Sequence, residues 1–185
     1  MPAAVNTRPR QRRQGSRGSS LIEVVVALLV LSVAIVGAAG AQIKAMKFGQ
    51  VSQQRSLAVL HAGAIGERMR ANLAASSQAA SPYVFDVGYS DIPAQLLLIT
   101  APDCSAADCT AEQMAKRHLL DWQAHLSGGL TGGRGAIART SAAAGAPYVV
   151  TVMWVEKEMV DAQRSLNCPT TAPADVQCVT LRFHP

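Results

Sequence analysis

Twenty consecutive residues, Val24 to Ile43, carry no charge, and among them only Ser32 and Gln42 are polar. As a helix rising about 1.5 Å per residue, such a run covers ~30 Å, the depth of a bilayer's hydrocarbon core. Few features constrain a chain more, because this segment must lie in lipid or against other apolar helices. Arg8, Arg10, Arg12, Arg13 and Arg17 precede it, and no acid accompanies them in the first 18 residues. By the positive-inside rule these arginines stay on the cytoplasmic side and the remainder passes outward. Glu23 stands immediately before the uncharged run. A carboxylate at such a place is costly and marks a function. A secretory signal has a shorter apolar stretch, followed by small residues where it is cut. "GAAGAQ" (37–42) offers such residues, whereas Glu23 is a poor component of a signal of that kind.

The formal charge of +5 comes from 17 basic and 12 acidic residues. Setting aside the five leading arginines leaves twelve bases against twelve acids, so no basic face remains for a phosphate backbone. No nucleic-acid partner is expected. The 185 residues allow one modest globular domain behind the apolar segment. Cys104, Cys109, Cys168 and Cys178 all follow that segment, an even number that suits disulfides in an oxidising compartment. Their x4 and x9 spacings do not match the close pairs of zinc sites. Three connectivities are open; local pairing, Cys104 with Cys109 and Cys168 with Cys178, closes two small loops and is preferred.

No proline interrupts residues 21 to 78, so the helix is expected to run well beyond the bilayer. Its second half is amphipathic, with Leu57, Leu60, Ala64, Ile65, Met69 and Leu73 as the apolar stripe. It should end between Ala75 and Ser81, ahead of Pro82. Gly37, Gly40 and Ala41 either let helices approach closely or weaken the helix there. Residues 82 to 109 read as a loop-rich connection with one strand near Leu96 to Thr100. "TAEQMAKRHLLDWQAHLSGG" (110–129) reads as a helix with a Thr110–Gln113 capping box, a stripe of Ala115, Leu119, Trp122 and Leu126, and Gly128 to end it. "GAIAR" (135–139), "YVVTVMWVEKE" (148–158) and "QCVTLRF" (177–183) read as strands. The last alternates Val179, Leu181 and Phe183 with Cys178, Thr180 and Arg182. Val149 to Val155 is apolar on both faces, as a central strand should be.

Little in the chain points to chemistry. "GGLTGGRG" (128–135) lacks the lysine and hydroxyl of a phosphate-binding loop, since Arg134 and Gly135 stand there; it reads as a flexible turn. His118, Asp121 and His125 share one helical face, but one helix rarely supplies a whole metal site. Asp121 bridging the two histidines is the simpler reading. No G-x-S-x-G elbow occurs, and cysteines committed to disulfides cannot serve as nucleophiles. No enzymatic activity, cofactor or metal is expected.

"RGSSLIEVVVALLVLS" (17–32) resembles the class III signal of type IV prepilins and pseudopilins. The resemblance implies that a prepilin peptidase cuts between Gly18 and Ser19, leaving the apolar segment on the mature chain with Glu23 as its fifth residue. It also implies N-methylation of Ser19, although this family usually begins its mature chain with phenylalanine. In a stack of such subunits Glu23 would pair with a neighbour's terminal amine, two charges compensating one another in lipid and setting the stagger. "ERMRAN" (67–72), the Trp122-x3-Leu126 helix with its glycine turn, and "YVVTVMWVE" (148–156) are similar to the PilV type of minor pilin. That likeness implies an α+β, type IV pilin-like fold, a long N-terminal helix packed on an antiparallel sheet with an additional helix. The expected divisions are a basic leader (1–18), a long helix (19–78, of which 21–43 is the transmembrane or filament core and 44–78 amphipathic) and a periplasmic head (79–185). The implied partners are prepilin peptidase, other minor pilins, the major pilin and the inner membrane, with the N-terminus cytoplasmic. A type II secretion pseudopilin, or a periplasmic binding domain on a signal anchor, would share much of this pattern.

Overall fold

The computed structural model describes residues 20–106, 108–156 and 168–185. Among the described residues, four helices and three strands follow in the order α1 (Leu21–Ala71), α2 (Leu73–Ser76), α3 (Ile92–Leu96), α4 (Ala111–Gly129), β1 (Arg134–Arg139), β2 (Tyr148–Val155) and β3 (Val176–Phe183). The described residues divide into two units at Met46 and Lys47, within α1. This is an α+β arrangement, a long N-terminal helix with a three-stranded antiparallel sheet and a further long helix.

In the first unit, every described residue up to Met46 is exposed, including Leu21, Ile22, Leu28, Leu29, Val33 and Ile35. The helix forms despite its many valines because nothing in it breaks the backbone ladder, and in an apolar medium a helix satisfies its own N–H and C=O groups.

In the second unit, α1 turns a narrow stripe inward: Ala58, Ala62, Ile65, Gly66 and Met69. The leucine-centred stripe expected from the pattern is only partly the buried one. Ile65 and Met69 are buried and Leu57 is half-buried, whereas Leu60, Ala64 and Leu73 face outward. The reason is space. Small residues at 58, 62 and 66 let large side chains from other elements lie on the helix; a Cβ on Gly66 would sit 2.4 Å from the Phe183 ring. The Trp122 indole donates to the His61 carbonyl at 2.9 Å, tying α4 to α1.

The helical run ends at Ser76, within the expected interval, but it is broken at Asn72 (φ −121°, ψ 59°). The Asn72 amide donates to the Ala111 carbonyl at 2.8 Å and to the Tyr83 hydroxyl at 3.3 Å, so side-chain bonds replace helical continuity there. The Arg139 guanidinium then collects the carbonyls of Gln78, Ala79 and Ala143 beyond α2.

α4 begins with the capping box: Thr110 Oγ1 accepts from the Gln113 amide at 3.2 Å, and Gln113 Oε1 accepts from the Thr110 amide at 2.9 Å. Ala115, Leu119, Trp122 and Leu126 are buried, with Gln123 beside them. The helix passes Gly128 and leaves through extended Leu130. Gln123 earns its buried place by bonding both backbone groups of Gly135, where a Cβ would lie 2.2 Å from the Trp122 ring.

The sheet order is β1-β2-β3, and β2 is central. Ile137 faces Val150 on one side, and Leu181 faces Val150 on the other. β2 is buried at nearly every position, in keeping with its unbroken apolar run. β3 is covered more fully than alternation implies, since both Cys178 and Val179 are buried. No strand forms at 96–100. Asp91 and Pro93 instead start the short helix α3, and two turns follow it with Leu97 and Leu98 exposed. The β-like contact of this connection lies earlier, where Phe85 bridges antiparallel to Ile137.

Candidate functional site: the N-terminal segment and the polar joints of the head

The first residues of α1 form the candidate site. Ser20 lies just outside the helix, and its carbonyl accepts from the amides of Glu23 at 2.9 Å and Val24 at 3.2 Å. Glu23 is therefore in the first turn, where a carboxylate faces the positive end of the helix dipole. That placement eases an acid's presence beside an apolar run. Around it Leu21, Ile22, Val24, Val25 and Val26 are exposed. Gly18 and Ser19 lie outside the described residues. Among the described residues, α1 is long and apolar enough to cross a membrane.

The cysteines lie in the head. Cys104 pairs with Cys109 (S–S 2.11 Å) and Cys168 with Cys178 (S–S 2.00 Å). The first pair closes a short loop directly before the Thr110 cap, with Asp103 accepting from the amide and hydroxyl of Ser105 at 3.0 and 2.7 Å. Those bonds hold the Asp103 carboxyl below its usual range. The second pair fastens buried Cys178 of β3 to the segment before it.

Two of the three residues weighed as metal ligands are engaged elsewhere. Asp121 does not bridge the histidines; its carboxylate pairs with Arg117, one turn back, at 3.1 Å. His118 turns its Nδ1 to the Tyr83 hydroxyl at 2.8 Å, and His125 is exposed. Burial, and then the Arg68 cation, hold His118 below the usual histidine value, with Asp121 opposing. Burial pushes the Tyr83 phenol up. The 128–135 turn is close-packed rather than loose. Gly132 adopts φ +59°, and a Cβ on Gly133 would lie 2.1 Å from the Leu126 carbonyl oxygen. Arg134 there stacks 4.2 Å over the Tyr89 ring and so packs within the head.

Sequence reasoning missed the joint of Arg68, Asn72, Tyr83, Ala111 and His118 altogether. Its only signal was an asparagine inside a helical pattern, a residue that prefers caps and turns.

Residues 13–39 match the family model described as the prokaryotic N-terminal methylation motif. No curated protein and no solved structure matches the chain. The matched segment and the exposed apolar helix together support a type IV pilin-like prepilin, anchored in a membrane by a single span. A signal of this class implies processing by a prepilin peptidase.

Proposed function

We propose that this chain is a minor type IV prepilin of the PilV type, a structural subunit that takes part in assembling or initiating a pilus. Prepilin peptidase cuts it between Gly18 and Ser19 on the cytoplasmic side of the inner membrane, and Ser19 is then methylated. The mature subunit joins other minor pilins and the major pilin, and the head lies in the periplasm until then. Glu23 meets the terminal amine of a neighbouring subunit, so that two charges enter the filament core as a pair.

One observation carries this reading: the methylation motif at 13–39 coincides with a helix whose apolar residues up to Met46 are exposed among the described residues. Such a helix needs lipid before assembly and other helices afterwards, which is the life of a pilin.

The test is N-terminal sequencing and intact-mass measurement of the membrane-extracted protein, with and without prepilin peptidase. A chain beginning at Ser19 only when the peptidase is present is expected, with a further methyl group if Ser19 is modified. A chain beginning at Met1 under both conditions would mean a permanent anchor, and one beginning near Gln42 a secreted protein. Glu23→Ala should leave cleavage intact while sharply reducing recovery in sheared filaments. Normal recovery would remove the assembly role given to Glu23.

A further inference from the structure

The Tyr83 hydroxyl lies where three elements of the head meet. It receives the Asn72 amide at 3.3 Å, and it lies 2.8 Å from His118 Nδ1 and 3.3 Å from the Arg68 carbonyl. Asn72 continues to the Ala111 carbonyl at 2.8 Å, at the start of α4. Arg68 donates to the His118 carbonyl at 3.4 Å. The end of α1, the connection at residue 83 and the first half of α4 are thus held by one set of polar bonds. The Tyr83 and His118 rings also stack, with centroids 6.2 Å apart.

A phenol has one hydrogen to give and two acceptors within reach. The nearer is His118 Nδ1, which accepts it when the imidazole is neutral with its hydrogen on Nε2. When a proton is added at Nδ1, that nitrogen becomes a donor. The Tyr83 oxygen must then accept from both Nδ1 and Asn72, and its own hydrogen must swing to the Arg68 carbonyl. Meanwhile the new imidazolium stands against the Arg68 guanidinium. Asp121, the acid facing His118 from its own helix, is already paired with Arg117. Tyr83 itself stays neutral across the range in which His118 titrates, since burial raises it further above its ordinary value of 10.0.

We propose that the Tyr83–His118 pair is an acid-sensitive latch that holds the end of α1 against α4 when neutral and loosens when His118 takes up a proton. The direction follows from the two states. Folding disfavours the protonated form of His118 relative to the unfolded chain, whose ordinary value is 6.5. The latch's contribution is therefore complete above 6.5. It falls as pH drops through and below that value, and levels off once His118 is protonated in the folded head too. His61, on the α1 face packed towards α4, is also held down by burial and by His125. It moves in the same sense, so the test must isolate His118.

The full chain in detergent micelles, with its imidazole C–H protons followed by NMR from pH 8 to 4.5, supplies the first readout. A His118 midpoint below 6.5, accompanied by shifts of the Asn72, Arg68 and Ala111 amides at that same midpoint, is the expected result. A midpoint at or above the ordinary value, or amides that ignore it, would overturn the latch. The second readout is the melting temperature of wild type and His118→Gln at pH 7.5 and pH 5. Wild type should lose melting temperature on acidification, and the variant, which cannot take up the proton at this position, should lose measurably less. Equal losses would assign the effect to other groups. If His118→Gln does not fold, the wild-type titration decides alone.

Discussion

At the scale of single residues, the head is governed by positions where atoms have no room to spare. Gly133 is the clearest. The glycine-rich turn is visible in the sequence, but nothing there tells which glycine is indispensable. The structure does: Gly133 lies under the last turn of α4, where an added Cβ would meet a backbone oxygen that cannot rotate aside. Gly133→Ala should therefore cost about 1–3 kcal/mol, as forced overpacking does. Chemical denaturation of the detergent-solubilised chain would measure it. Gly128→Ala, where a Cβ meets nothing within 4 Å, is the matched control and should be neutral or slightly stabilising. Gly66 is a softer case. Its neighbour is the half-buried ring of Phe183, which can give way.

At the scale of elements, those with strong local signals formed where the pattern put them. α4 is specified by its capping box and its four-residue stripe, both local and both present, although it runs past Gly128 and leaves through Leu130. Thr110→Ala removes one arm of that box and should cost about 1 kcal/mol, read as a lowered denaturation midpoint with unchanged slope. β2 was legible because an apolar run of its length suits only the middle of a sheet. α3 was missed because a few apolar residues fit a strand as well as a helix turn, and Asp91 with Pro93 decided for the latter. The inward face of α1 was misjudged for another reason. Periodicity marks which residues are apolar, yet Leu60 and Ala64 are as periodic as Ala58 and Ala62. Which set turns inward depends on distant residues: the Phe183 ring lies over Gly66, and the Trp122 indole reaches the His61 carbonyl.

At the scale of the whole molecule, the two units differ in kind: the described residues up to Met46 are exposed, and the second unit has its own core. Among the described residues, those from Leu21 to Met46 are all exposed, whereas Ile137, Tyr148, Val150, Val152, Trp122 and Leu126 are fully or almost fully buried in the head. The protein should therefore fractionate with membranes, resist alkaline carbonate extraction and be released by detergent. Val30→Arg places a charge mid-span and should cost about 2.5–3.5 kcal/mol of insertion. It is expected to shift much of the protein into the carbonate-soluble or degraded fraction. An unchanged distribution would mean that the helix does not reside in lipid.

What the sequence determined alone was whatever depends on neighbours along the chain. This covers the apolar span and the acid that opens it, the capped helix and the three strands, whereas for the cysteines three connectivities stay open, the local one preferred. Each rests on spacing, composition or short loops, which are local physics. Only the tertiary structure decided which face of α1 is buried, where that helix breaks, and that Asn72, Tyr83 and His118 come together. Those outcomes depend on residues tens of positions apart meeting in one place. There, volume and unpaired hydrogen-bond groups, rather than periodicity, choose the arrangement.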